Sequence, residues 1–180
     1  MSNPNINDQD RRVKRTKTLI FQAFFELVQS SRYHDLKTIN IIEKAGVGKS
    51  TFYEHFLNKD DVLQQSLENP MSIIANALLG KIENDKVSKV LSHFWERRVF
   101  ARVILDHPTH EVVEKCLRKL IINGLDHTDS MNQNISSAKA SFLSSGFLNL
   151  LKEWLTGKVS LSVEDMTAII SRFSVGSTSD

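Results

Sequence analysis

Residues that interrupt regular structure are scarce in this chain, which has 7 Gly and 3 Pro among its 180 residues. A β-sandwich or β-barrel needs a turn about every 8 to 12 residues, and Gly and Pro mark most such turns. Apolar residues instead recur at steps of three and four, the spacing of one face of an α-helix. We therefore predict an all-α protein.

The composition is that of an ordinary globular chain, with 41% hydrophobic and 24% charged residues. Its length suits one core, or one core with a small second module. Cys116 is the single cysteine, so an intrachain disulfide is excluded. The polar N-terminus lacks the apolar stretch of a signal peptide, and no apolar run reaches the roughly 18 residues of a membrane span. We expect a cytoplasmic protein without a membrane partner.

Positive charge is concentrated near the N-terminus. Residues 1–60 contain ten Lys or Arg against seven Asp or Glu. Five of these cations lie close together without an intervening acid: Arg11, Arg12, Lys14, Arg15 and Lys17. Such a cluster attracts phosphate groups, although a solvated helix start is an equally common reason for one. The polar residues 1–10 before it predict a flexible arm.

Three helical segments follow one another in the first third of the chain. An apolar stripe over 19–28 predicts a long amphipathic helix, and a second, short helix over 38–45 ends at Gly46. A third begins at Lys49 and places Phe52 and Phe56 on one face. Two short helices joined by a Gly-containing turn are typical of a helix-turn-helix, whose second helix enters the major groove of DNA. We predict a DNA-binding domain over 1–60 and a helical domain over 61–180.

The segment Ala45–Phe56 reads AGVGKSTFYEHF and is followed by Lys59. It resembles the DNA-binding signature of the tetracycline-repressor (TetR) family of bacterial transcriptional regulators, and the match extends over Leu36–Leu63. Gly48 stands where relatives often have Ser or Thr, and Ser50 replaces a frequent Gly. The resemblance implies a small DNA-binding head and an all-helical C-terminal domain that dimerises and usually binds a small molecule.

The third helix carries the predicted contacts to bases. Lys49, Ser50 and Thr51 lie in its first turn, the part that reaches base edges, and Lys49 is the main candidate for direct readout. Tyr53 and His55 project sideways from the Phe52 and Phe56 face, where flanking phosphates are expected.

Residues outside that helix are expected to contact the DNA backbone. Lys59 and the amides at the start of the fourth helix predict a phosphate clamp, assisted by the helix dipole. Thr38, at the start of the second helix, offers a similar backbone contact. Arg15 and Lys17 are assigned to the backbone or a minor groove.

The C-terminal region suggests two further sites. Aromatic residues predicted to line a ligand cavity, with ordinary core packing as the alternative, are Phe94, Trp95, Phe100, Phe142 and Phe147. The segment Ser145–Leu155 resembles the dimerisation helix of some relatives, and small residues there permit close helix approach. The predicted dimer interface consists of Phe142, Gly146, Leu150, Trp154, Ile169 and Ile170. In the fourth helix, we expect Pro70 to cause a break or kink.

The apparent enzyme motifs in the sequence have simpler explanations. The string Gly48–Thr51 is reminiscent of a phosphate-binding loop, but Glu43 occupies the position of that motif's first Gly, and a helix precedes it instead of a strand. Four residues with metal-binding side chains are better explained as the acidic start of a helix: His107, His110, Glu111 and Glu114. No local pattern indicates nucleophilic catalysis. We predict a protein that is not an enzyme and has no cofactor or metal.

These observations predict a sequence-specific transcriptional regulator. Its expected form is a homodimeric, ligand-responsive repressor that binds a palindromic operator in double-stranded DNA and responds to a small-molecule effector. The alternative is a helical coactivator that acts through a protein partner bound by its C-terminal domain.

Overall fold

The computed structural model describes residues 4–125 and 133–174. Helices and short connections make up these ranges, which contain no β-strand, so the prediction of an all-α protein is confirmed. The helices are α1 (Pro4–Ser30), α2 (Thr38–Ala45), α3 (Lys49–Tyr53), α4 (Lys59–Leu78), α5 (Asn84–Glu96), α6 (Arg98–Ile104), α7 (Thr109–Gly124), α8 (Gln133–Leu155) and α9 (Val163–Arg172). The chain divides into two compact units, Met1–Ser66 and Leu67–Asp180.

Helix α1 is longer than the sequence predicted. Residues 4–10, expected to be part of a flexible arm, form its first turns, so the arm prediction is corrected there; residues 1–3 lie outside the described residues. Pro4 is well suited to a first helical position because that residue needs no amide hydrogen for a helical hydrogen bond. Farther along α1, Ile20, Phe24 and Val28 are buried, and α1 packs against α2.

A tight turn connects α2 to α3. Gly46 adopts the left-handed conformation, with φ of 64°, which costs glycine little because it has no Cβ. Its amide donates a hydrogen bond to the Glu43 carbonyl and closes α2. Helix α3 follows after Gly48, which provides no side-chain cap.

Helix α4 begins at a capping residue and then runs without interruption. The Asn58 side-chain oxygen accepts hydrogen bonds from the amides of Asp60 and Asp61 at 2.9 and 3.0 Å. The expected break at Pro70 is not seen, because the helix continues through this residue to Leu78. Proline removes a single hydrogen bond from the ladder, and the helix tolerates this loss.

The second unit is built on pairs of packed helices. Helix α7 packs against α8, and α5 packs against α9. The interior contains Leu91, Leu117 and Leu148, each fully buried. Helices α5 and α6 are separate because the backbone departs from helical geometry at Arg97. Within the described ranges, no helix is both long and apolar enough to cross a bilayer.

Candidate nucleic-acid interface

Helix α3 presents one buried face and one exposed face. The rings of Phe52 and Phe56 are buried, with centroids 5.6 Å apart. Lys49 and Ser50 are exposed on the outer side, and Tyr53 has 56% of its surface accessible. The apolar contacts therefore fix the orientation of α3, so that its cationic and hydroxyl side chains face solvent.

Two other predicted residues of this segment, Thr51 and His55, lie in a groove beside α3. It has a volume of about 320 Å³ and is formed between α3 and the N-terminal part of α1. Its lining residues are Gln9, Arg12, Val13, Thr16, Thr51, Glu54 and His55. A cation, hydroxyl groups and an imidazole thus converge beside the exposed face of α3, the donor chemistry that binds phosphate oxygens.

The contribution of α1 to this groove was only partly predictable. Arg12 belongs to the basic cluster identified in the sequence, but its position beside α3 was not predicted. Gln9, Thr16 and Glu54 were not selected as site residues. Arg12 and Thr16 are four residues apart, which places them on one face of a helix. If α1 had been predicted to begin before residue 11, this spacing would have placed Arg12 on a different helix face from Arg11, Lys14 and Arg15.

Other cations of the cluster lie on a different part of α1. Arg11, Lys14 and Arg15 are exposed and line an open hollow with Thr18 and Leu19. Over the part of the chain that the structure describes, none of the three cations is within 4.0 Å of a carboxylate oxygen. Arg15, a predicted DNA-binding residue, is therefore positioned as an accessible cation.

Lys17 is positioned differently from its predicted role. Its Nζ donates a hydrogen bond to Oε1 of Gln65 at 2.9 Å and lies 5.6 Å from the centroid of the Phe56 ring. The ammonium therefore contacts its own unit instead of pointing away from it. Helical phase turns Lys17 towards its own unit while Arg15 faces solvent, and the DNA contact of Lys17 stays a prediction.

Lys59 also has partners within its own unit. Its Nζ donates hydrogen bonds to the carbonyl oxygens of Tyr33 at 2.7 Å, Leu36 at 2.8 Å and His34 at 3.4 Å. The same ammonium lies 4.6 Å from the centroid of the Tyr33 ring. The three donors of this ammonium thus have acceptors within its own unit, and its role in a phosphate clamp stays a prediction.

Thr38 is the first residue of α2 and is half-buried. The preceding Lys37 amide donates a hydrogen bond to Oδ1 of Asn40 at 2.9 Å. The amides at the beginning of a helix have no intrahelical acceptor, so those of Thr38 and Ile39 are available to an external oxygen.

A second surface lies in the C-terminal unit. An apolar groove of about 260 Å³ is lined by Leu78, Phe142, Leu143, Gly146, Phe147, Leu150, Ile169, Ile170 and Phe173. Phe142 and Phe173 are strongly exposed, at 78% and 76% of their surface. Five of the six residues predicted for a dimer interface line this groove, and Phe173 was not among them.

The sixth residue predicted for the dimer interface, Trp154, does not line the apolar groove. It is 1% exposed, and its indole N–H donates a hydrogen bond to the Leu161 carbonyl at 2.8 Å. Its ring stacks on Trp95 with centroids 4.9 Å apart. The apolar pattern of α8 placed Trp154 on a partner-facing side, but the residue lies in the core of its own unit.

The five aromatic residues predicted to line a ligand cavity do not share one site. Phe142 and Phe147 line the apolar groove, whereas Phe94, Trp95 and Phe100 are absent from its lining. Phe94 and Phe100 are buried in the core, as is ordinary for rings at helical spacing. The half-exposed Trp95 stacks with Trp154, so packing explains these three rings without a ligand.

The acidic start of α7 forms short-range pairs. Nε2 of His110 lies 3.7 Å from Oε2 of Glu114, and the Ser145 hydroxyl donates a hydrogen bond to Oε1 of the same carboxylate at 2.5 Å. His107 and Glu111 form a second, exposed pair with 3.8 Å between Nε2 and Oε1. These contacts tie α7 to α8 and hold its first turns.

Comparison with known proteins identifies the first unit. Residues 20–65 match the family model described as bacterial regulatory proteins, tetR family. A curated relative is the HTH-type dhaKLM operon transcriptional activator DhaS of Lactococcus lactis, 33% identical over 61 residues. That match covers 34% of this chain and 33% of the relative's length.

Similarity to solved structures extends over most of the chain. A TetR transcriptional regulator from Streptococcus agalactiae superposes with a TM-score of 0.55 at 22% identity, covering 92% of this chain and 97% of the other. The dihydroxyacetone kinase operon activator DhaS gives a TM-score of 0.51 at 19% identity, covering 86% and 91%. At these identities the likeness shows a shared fold. Together with the family match of residues 20–65, it shows that the chain has a tetR-family helix-turn-helix DNA-binding domain near its N-terminus and shares the fold of these TetR regulators.

Proposed function

We propose that this chain is a sequence-specific regulator that binds a two-fold symmetric operator as a homodimer and represses transcription by occluding a promoter. The observation that carries the proposal is the exposed face of α3, where Lys49, Ser50 and Tyr53 lie outside a buried pair of aromatic rings. A cation and hydroxyl groups at the start of a recognition helix are suited to the acceptors on base edges.

The groove between α1 and α3 supports the same proposal. Phosphates flanking the contacted bases would lie near Arg12, Thr51 and His55, so the bases and the backbone can be engaged together. Arg15 adds a cation on the neighbouring face of α1. Such contacts supply affinity, whereas Lys49 supplies preference for a base.

Dimerisation is proposed to use the apolar groove of the C-terminal unit. Phe142 and Phe173 expose two phenyl rings at this groove. Large exposed apolar patches commonly mark interaction sites on a protein surface. A second copy would place its own rings in the groove, because a two-fold interface uses the same patch on both subunits. Gly146 permits close approach, since a Cβ built there meets nothing within 4 Å.

Response to a small-molecule effector is proposed from the family resemblance, with the binding site in the C-terminal unit. The effector would favour one of two spacings of the recognition helices and so change operator affinity. The relative DhaS is named an activator, so activation is the outcome to be distinguished from occlusion in a reporter assay. Because its target is DNA, the protein is proposed to work in the cytoplasm.

Selection of duplexes from a random library by the full-length protein tests the core of the proposal. We expect enrichment of a two-fold symmetric site whose half-sites are about one helical turn apart. Enrichment of an asymmetric or single half-site would contradict the dimeric reading. Absence of selection, even at low salt, would favour the coactivator alternative.

A further inference from the structure

Glu54 follows the last residue of α3 and continues its helical course. Its backbone is right-handed helical, with φ of −66° and ψ of −24°, and its amide donates a hydrogen bond to the Ser50 carbonyl at 2.9 Å. Successive helical residues turn by about 100°, so residues two positions apart lie on nearly opposite sides. Glu54 is two positions from both Phe52 and Phe56, whose rings are buried. Its side chain therefore begins on the outermost face of the α3 segment, one turn beyond Ser50.

The carboxylate of Glu54 is exposed on this face. It lines the groove between α1 and α3 together with Arg12 and His55. Among residues 4–125 and 133–174, however, no Lys, Arg or His nitrogen lies within 4.0 Å of its carboxylate oxygens. An unpaired acid is thus present on the surface that the proposed function brings against DNA.

A carboxylate on such a surface repels phosphate groups, which lowers the affinity for every DNA sequence. This cost is offset where the carboxylate accepts a hydrogen bond from a base. In the major groove cytosine presents the N4 amino donor alone, whereas adenine presents its N6 amino group beside the N7 acceptor. Guanine and thymine present acceptors there. The oxygens of a carboxylate only accept hydrogen bonds, so cytosine is the base that matches them best.

We propose that Glu54 is a specificity-determining residue that accepts a hydrogen bond from the N4 amino group of a cytosine at one position in each half-site. The inference rests on the proposed function, because it requires α3 to lie in the major groove. Glu54 lies one turn beyond Ser50, so the cytosine is expected beside the bases contacted from the first turn of α3. Glu54 selects by repulsion as well as by attraction, since an acceptor atom opposite it lowers the affinity.

Duplex selection with the full-length wild type, Glu54→Ala and Glu54→Gln tests the proposal. The wild type should favour a C·G pair by about tenfold at one position of each half-site, and Glu54→Ala should lose that preference. Glu54→Ala should also bind scrambled duplexes about threefold more tightly, because a charge that repels phosphates is removed. Glu54→Gln should shift the preference towards adenine, since an amide matches both N6 and N7. An unchanged base preference in Glu54→Ala would overturn the proposal, as would a relaxed preference at an A·T pair.

A cytosine analogue identifies the atom that is recognised. The base 2-pyrimidinone is cytosine without its N4 amino group, and it replaces the selected cytosine in an otherwise identical operator. The wild type should lose about tenfold in affinity on this duplex, whereas Glu54→Ala should be nearly insensitive to the replacement. Any effect of the analogue on the duplex itself acts on both proteins, so the difference between them measures the Glu54 contact. An equal loss in both proteins would overturn the proposal.

Glu96→Ala is the matched control, because Glu96 is an exposed glutamate that ends α5 in the C-terminal unit. It should keep the wild-type affinity and base preference. Neither Glu54→Ala nor Glu96→Ala removes a core contact, so both should unfold at the denaturant midpoint of the wild type. Failure of the wild type to select any symmetric site would contradict the proposed function. A selected site with the same preference in Glu54→Ala would contradict only the role of Glu54.

Discussion

The ring of Phe56 packs edge-on against the ring of Phe21, with centroids 5.5 Å apart and planes inclined by 68°. This contact joins the end of the α3 segment to the long helix α1. Since Phe52 is buried beside Phe56, both rings hold α3 on its inner side. The orientation of the exposed side chains on α3 is therefore set by apolar packing on α1.

Lys49→Ala should weaken binding to the selected operator by about 1 to 3 kcal/mol and relax the preference at one base position. Lys49 is exposed in the first turn of α3, so its removal leaves the core intact. Repeating the duplex selection with the variant measures both effects. Lys89→Ala is the matched control, because Lys89 is an exposed lysine of α5 in the C-terminal unit. An unchanged base preference in Lys49→Ala would remove this residue from direct readout.

Arg12→Ala should lower affinity for all duplex sequences and reduce the salt slope by about one unit per protomer. The reason is the position of Arg12 in the groove beside Thr51 and His55, where a backbone phosphate is expected. Fluorescence anisotropy on specific and scrambled duplexes over a range of salt concentrations measures the change. Arg97→Ala, an exposed arginine of the C-terminal unit, should bind as wild type does. A salt slope equal to that of wild type would show that Arg12 makes no phosphate contact.

The stability of the N-terminal unit should depend on pH through Tyr33. Burial, followed by the hydrogen bond to Asp60, raises the pKa of Tyr33 far above its ordinary value. In the unfolded chain a tyrosine loses its proton near pH 10. The contribution of Tyr33 to the free energy of unfolding is thus fully present below about pH 10. It is progressively lost as the pH rises further, since deprotonation of tyrosine in the unfolded chain then favours unfolding.

Denaturant unfolding of the wild type and Tyr33→Phe at several pH values from 8 to about 11.5 tests this expectation. The free energy of unfolding should fall more steeply above about pH 10 in the wild type, because phenylalanine has no proton to lose. Lysines titrate in both proteins and cancel in the comparison. Parallel pH dependence in the two proteins would contradict the buried, hydrogen-bonded state of Tyr33.

Local features of the head were predictable from the sequence because short-range rules determine them. The end of α2 at Gly46 and the shared face of Phe52 and Phe56 are seen as predicted, and Asn58 caps α4 by an equally local rule. Each depends on residues at most four positions apart. Backbone geometry and helical phase are sufficient to place them.

The partners of Lys17 and Lys59 were not predictable in this way. Lys17 binds Gln65, 48 residues away, and Lys59 binds carbonyls more than 20 residues earlier in the chain. A charge in a basic cluster or next to a helix start has the same local pattern whether it faces solvent or its own fold. Trp154 shows the same limit, because its apolar surroundings are equally consistent with a core and an interface.

The last prediction concerns the apolar groove of the C-terminal unit. Phe142→Ser should raise the dissociation constant of the homodimer by tenfold or more, since large aromatic side chains at the centre of an interface contribute about 2 kcal/mol or more each. With 78% of its surface exposed, Phe142 contributes little to the core of its own unit, so the monomer should remain folded. Sedimentation velocity over a range of concentrations measures the change.

Ile135→Ser is the matched control for Phe142→Ser, since Ile135 is an exposed apolar residue of the same helix α8, at 55%, and is absent from the groove lining. It should leave the dimer unchanged. Loss of the dimer in Phe142→Ser should also reduce affinity for the full operator much more than for an isolated half-site, because two linked heads bind with a high effective concentration. An identical dissociation constant for wild type and Phe142→Ser would place the interface elsewhere, and the exposed rings of Phe142 and Phe173 would then require another occupant.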